Sequence, residues 1–212
     1  MRLIIGNRNY SSWSLRGWLV ARKAGLTFDE LFVPLDTPEG DRLMAEHCPA
    51  DRVPVLEDGG LAIWDSLAIA EYLAESHPAL WPADRAARAV ARSACAQMHS
   101  GFPALRDELP MNCRRALAPV DYSAACATEI ACIEALWAEL RRRFGAGGPW
   151  LCGDWSIADA FFAPVALRLD RYAVPVGGEA RAYIDAQLGD ADLADWIAAA
   201  RQERYVIEHE ER

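Results

Sequence analysis

Residues 53–64, VPVLEDGGLAIW, leave the chain few choices of fold. Two short β-prone runs joined by Asp-Gly-Gly can pair only as an antiparallel hairpin, because the turn is too short for a crossover. Pro54 has no N–H to give a ladder and belongs at a strand start, where a cis Val53–Pro54 bond would turn the backbone sharply. Upstream, residues 3–6 read as a buried strand, 13–24 as an amphipathic helix, 28–35 as a second strand and 39–46 as a short helix. The first three make a right-handed βαβ unit with parallel strands. The hairpin and a helix over 66–77 complete a βαβαββα layer around a mixed four-stranded sheet.

After HPALWPADR no strand pattern returns. Val90, Ala91, Ala94, Cys95, Met98, Phe102 and Leu105 fall on one helical stripe, as do Ile130, Ile133, Trp137, Leu140 and Phe144. PVGG and LGDAD punctuate further helices, LADWIAAARQE is the last, and the tail EHEER is expected to fray. The chain thus divides into an α/β domain (1–77), a linker (78–84) and an all-helical domain (85–212). Hydrophobic residues at 52% and charged residues at 25% supply packed cores for both.

A net charge of −9 repels phosphate backbones and anionic bilayers, so neither nucleic acid nor membrane is an expected partner. The six cysteines have neither CxxC nor His-flanked spacing and are expected to be reduced and mostly buried. No apolar run reaches the roughly 20 residues that span a bilayer, and a cytoplasmic protein is expected.

Four local signals carry chemistry. NYSSWS, residues 9–14, feeds the first helix, where outward N–H groups favour anions; its serines either cap the helix or lend a hydroxyl to a bound thiolate. In WDSLAIAEYL, Asp65 and Ser66 stand at a strand-to-helix junction, suited to an N-cap or to an amino-acid head group. VPVL is either an ordinary trans X-Pro at a strand start or a cis-proline turn. WSIAD has capping-box spacing, Ser156 to Asp159, and reads as structural.

Taken in order, these motifs resemble the cytosolic glutathione transferases over nearly the whole chain, in particular serine-type bacterial members of zeta and theta character. The resemblance implies a thioredoxin-like N-terminal domain, an all-helical C-terminal domain and a homodimer. It implies an enzyme that holds glutathione as thiolate for attack on a small electrophile or peroxide. Glutathione is then a cosubstrate, with no metal or organic cofactor. Ser11 matches the thiolate donor, with Ser12 close behind and Tyr10 as a tyrosine-type rival. Asp65 and Ser66 match the pair on the γ-glutamyl end, Val53 ahead of Pro54 the backbone partner of the cysteinyl part, and Arg52 a side chain near the glycyl end; Asn9 is a further candidate. Trp13, Met98, Phe102 and Met111 are expected to line the second-substrate pocket, with Arg106 recognising a carboxylate or other anion. SSWS is similar to the zeta-class SSCS loop, with Trp13 in the cysteine position. The alternatives are a non-catalytic binding or regulatory protein on this fold, and a maleylacetoacetate-type isomerase.

Overall fold

The computed structural model describes residues 1–212. The first domain runs β1 (Arg2–Ile5), α1 (Ser12–Lys23), β2 (Asp29–Phe32), α2 (Pro38–His47), β3 (Val55–Asp58), β4 (Leu61–Trp64) and α3 (Ser66–Ser76). Its sheet has the order β2-β1-β3-β4, with β1 parallel to β2 and antiparallel to β3, and β3 antiparallel to β4. This is a thioredoxin-like layer. Strand β1 is central, and its alternation sorts the two faces: Leu3 and Ile5 join the main core, while Ile4 packs with Val33, Cys48 and Val55 on the other side. Strand β2 is shorter than its apolar run because Pro34 brings no N–H to the ladder.

The helical domain comprises α4 (Arg85–Ser100), α5 (Pro103–Glu108), α6 (Ala124–Phe144), α7 (Ile157–Arg171), α8 (Gly178–Leu188) and α9 (Ala191–Gln202), with 3-10 turns at Pro78–Leu80 and Glu208–Glu210. The stripe read as one helix from Val90 to Leu105 is in fact two. Gly101 ends α4, Phe102 adopts a left-handed φ of 61°, and Pro103 opens α5 in a new direction. Helix α7 is the hub: Ile157 to Asp170 are all buried, and α1, α4 and α8 pack on it. One core of 48 buried residues therefore runs through both domains. No helix is long and apolar enough to cross a membrane, and all six cysteines are free.

Helix α1 is brought close to the start of β3 by Gly17. A Cβ there would lie 3.2 Å from Pro54 Cγ, tighter than ordinary packing, so glycine sets how near the helix comes.

Candidate functional site

A cavity of about 510 Å³ opens between the domains. The loop after β1 and the first turn of α1 form its floor, residues 51–54 one side, and the start of α3 another. The helical domain contributes His99, Arg106 and Arg168, and the C-terminal segment adds Ile207, His209 and Glu210. Of the residues singled out above, Tyr10, Ser11, Ser12, Trp13, Arg52, Val53, Pro54, Asp65, Ser66 and Arg106 meet here.

The two serines are chemically different. Ser11 is the N-cap of α1: its Oγ accepts the Ser14 N–H at 3.2 Å and donates to Ser14 Oγ at 2.8 Å. Ser14 Oγ also accepts the Gly6 N–H at 3.0 Å, so this hydroxyl pair pins the helix to β1. Ser12 Oγ has one neighbour, Arg168 Nη2 at 3.5 Å, which can only donate. The Ser12 hydroxyl therefore has no acceptor, and the residue lines the cavity.

Val53–Pro54 is cis. Opposite it, Asp65 has φ 77° and caps α3: Oδ1 accepts the Leu67 N–H at 2.8 Å and the Ala68 N–H at 3.4 Å. Its Oδ2 lies 3.1 Å from His99 Nε2. Burial holds His99 below the usual histidine range, with Arg16 and Arg106 adding repulsion against the pull of Asp65. Ser66 is 1% exposed and its Oγ has no partner, a buried hydroxyl at a helix start with a hydrogen bond to give.

Other expectations are corrected. Met98, Phe102 and Met111 belong to the main core and do not line the cavity: Met98 is on the buried face of α4, which packs on α7, Phe102 sits in the turn between α4 and α5, and Met111 in the segment after α5. Trp13 and Arg106 do line it, with the guanidinium 4.9 Å from the ring centroid. Asn9 is fully buried outside the cavity. Its amide donates to Asn112 Oδ1 at 2.9 Å and accepts the Arg114 N–H at 2.8 Å, so both ends serve to tie two loops together.

The tail is not frayed. Glu203 accepts the N–H groups of Arg8 at 2.6 Å and Asn9 at 3.2 Å. Arg114 donates to Glu203 O at 2.6 Å, Tyr205 O at 2.9 Å and Tyr10 Oη at 2.6 Å, and Tyr10 in turn donates to Glu211. The Tyr10 hydroxyl is thus spent on this latch. Arg114→Ala should release the segment and speed limited proteolysis within residues 203–212 about tenfold, as a local loss of about 1.4 kcal/mol would. An unchanged cleavage rate would locate the anchor elsewhere.

His99, Arg168 and the tail residues escaped the sequence reading. The available signal for Arg168 was a lone cation in the apolar run FFAPVALRL.

Residues 10–76 match the family described as glutathione S-transferase, N-terminal domain. Glutathione S-transferase 4 of Zea mays is 37% identical over 65 residues, which are 29% of this chain and 28% of that protein. A glutathione transferase homologue from Burkholderia GL BGR1, solved with bound glutathione, is 26% identical with a TM-score of 0.72, covering 95% of this chain and 98% of its own. A maleyl pyruvate isomerase, a bacterial zeta-class protein, shares the fold at 24% identity and TM-score 0.72, covering 96% of this chain and 99% of its own.

Proposed function

From the premise that the chain belongs to the glutathione S-transferase family, we propose that it binds glutathione in the inter-domain cavity and presents its sulfur as thiolate to a small electrophile. The observation that carries this reading is a pair of hydroxyls without acceptors, Ser12 and Ser66, at two ends of one cavity. Ser66 Oγ and the start of α3 take the γ-glutamyl carboxylate, and Asp65 Oδ2 takes the ammonium. The Val53 backbone pairs with the cysteinyl part, and Arg52 serves the glycyl carboxylate.

Glutathione supplies a sulfur nucleophile; the protein supplies the proton management. The donor role moves from Ser11, whose hydroxyl is committed to Ser14, to Ser12. Lowering a thiol pKa of about 8.5 by about two units takes about 2.7 kcal/mol. One hydroxyl, the α1 N-terminus and the Arg168 charge are together enough for that. Retention on immobilised glutathione and conjugation of 1-chloro-2,4-dinitrobenzene test the reading. Retention without conjugation would favour the non-catalytic module, and neither would remove the proposal. Exposed Leu61 and Trp64 on edge strand β4 support a homodimer, and the proposed setting is the cytoplasm.

His99 gives this site a pH signature. Neutral, it donates Nε2–H to Asp65; protonated, it competes with the ligand ammonium for the same carboxylate. Affinity for S-methylglutathione, which has no thiol to titrate, should fall about three- to tenfold between about pH 7.5 and about pH 5.5. His99→Gln should flatten that dependence. An equal slope in the variant would clear His99 of the role.

A further inference from the structure

His99 and Arg16 sit against the same two rings. The His99 ring centroid is 5.1 Å from that of Trp13 and 6.4 Å from that of Phe161; the Arg16 guanidinium carbon is 4.6 Å and 5.1 Å from them. Arg16, on α1, is 0% exposed, and none of its three side-chain nitrogens has a hydrogen-bond partner. It makes no ion pair either: Asp65 attracts it from a distance, but that carboxylate is engaged by His99 and the α3 backbone. A hydrophobic side chain of similar length could fill the same space with no charge to desolvate. What Arg16 alone brings to this place is its field.

That field falls on His99. Its Nε2 faces Asp65 Oδ2 at 3.1 Å, so the neutral ring keeps its proton there and its lone pair on Nδ1, where a second proton would have to go. Nδ1 is buried without a partner, and an imidazolium would hold an N–H there with no acceptor. The surrounding charges are few. Helix α3 offers Asp65, which favours protonation, and Glu71, which is paired with Arg92 on α4. Helix α5 offers Arg106, which opposes it. Glu129 of α6 is turned to the Leu105 N–H; α7 presents Phe161, with Arg168 turned to Arg106 O and Leu109 O. Cys95, on the same helix as His99, is a thiol pushed up by burial and stays neutral. Of the two guanidiniums that oppose the one carboxylate, only Arg16 is wholly buried, where water screens it least. Burial and the charges of Arg106 and Arg168 pull Arg16 itself down, yet a guanidinium starts so high that it keeps its proton at neutral pH.

We propose that Arg16 is a positioning residue for the glutathione site: from behind Trp13 its unanswered charge keeps His99 uncharged, which reserves Asp65 for the α-ammonium of the ligand. Arg16 touches neither the ligand nor the carboxylate and acts through the ring between them. This rests on the reading above in which Asp65 receives that ammonium. It adds a selectivity for the free amino group, because an imidazolium at this distance would neutralise the carboxylate before the ligand arrived.

Arg16→Met removes the charge and forfeits no hydrogen bond. In that variant the His99 ring, followed by NMR of its Cε1–H and assigned with His99→Gln, should titrate at a higher pH than in the wild type. Affinity for S-methylglutathione, measured by calorimetry, should match the wild type at about pH 8 and be about threefold weaker at about pH 6.5. The desamino analogue, in which hydrogen replaces the α-amine of S-methylglutathione, should show no such gap. Nor should Arg16→Met show it when both proteins also carry His99→Gln. A merely structural Arg16 would instead weaken both ligands alike at both pH values. Arg16→Gln, equally uncharged, serves where Arg16→Met fails to fold, and in the wild type itself His99 must titrate lower in the native protein than in urea. An unmoved His99 titration in the uncharged variant, or an equal loss for both ligands, overturns the proposal and leaves glutathione binding standing. S-methylglutathione that binds the wild type at no pH removes the glutathione reading, and the ammonium role with it.

Discussion

Ser12→Ala is expected to lower kcat/KM for conjugation by about 10–10², while glutathione affinity changes less than about threefold. The magnitude follows from removing one charge-assisted hydrogen bond to the thiolate, worth about 1.5–2.5 kcal/mol of the stabilisation the site supplies. The specificity follows from the geometry. Ser12 makes no cap and holds no backbone group, so its hydroxyl has no structural task whose loss would blur the result. Ser11→Ala should behave differently: it removes the α1 N-cap and the link to Ser14, destabilising the fold by about 1 kcal/mol with a smaller loss of turnover. Ultraviolet titration of bound glutathione separates the two further, since only Ser12→Ala should shift thiol ionisation upward. Full activity in Ser12→Ala, with Ser11→Ala inactive, would return the donor role to Ser11.

That choice between neighbouring serines marks where a linear reading stops. VPVLEDGGLAIW and the βαβ unit were legible because turn chemistry and strand period are local properties. The junctions at residues 11–12, 53–54 and 65–66 were legible because each lies at the start of a helix or strand, where polar residues interrupt an apolar pattern. Which serine keeps a free proton depends on Ser14 and Arg168, and Arg168 is separated from Ser12 by 156 positions. Met98 and Phe102 were misplaced because a helical stripe facing another helix and one facing a cavity have the same period, and Met111, outside any helix, carries no period at all. Phe102 was doubly obscured, since the left-handed turn after Gly101 moves it off the stripe on which it was counted. The tail, rich in charge, reads as solvated until Arg114 and Glu203 are seen to fasten it.

Asp159→Ala should destabilise the protein by about 3–5 kcal/mol, lowering the melting temperature by about 10 °C. Its carboxylate is wholly buried at the first turn of the hub helix α7. Oδ1 accepts from Leu151 N–H at 3.1 Å and Tyr183 O–H at 3.0 Å; Oδ2 accepts from Ser156 N–H at 2.9 Å and Ser156 O–H at 3.2 Å. Alanine leaves all these donors buried without an acceptor, at a point where α1, α4 and α8 all lean on the same helix. The pH dependence has a definite sign. Burial pushes Asp159 up to about 6 from 3.8, against the pull of its donors. A folded value above the unfolded one means that ionisation weakens the fold: the contribution of Asp159 is full below about pH 4 and is lost as pH rises through about 6. Relative to Asp159→Asn, which cannot ionise, the wild type should therefore lose about 2.4 kcal/mol between about pH 4 and about pH 7. Chemical denaturation of both proteins across that range reads the difference directly, and a flat or rising difference would show that the four donors, and not burial, set the charge state of the helix that joins the two domains.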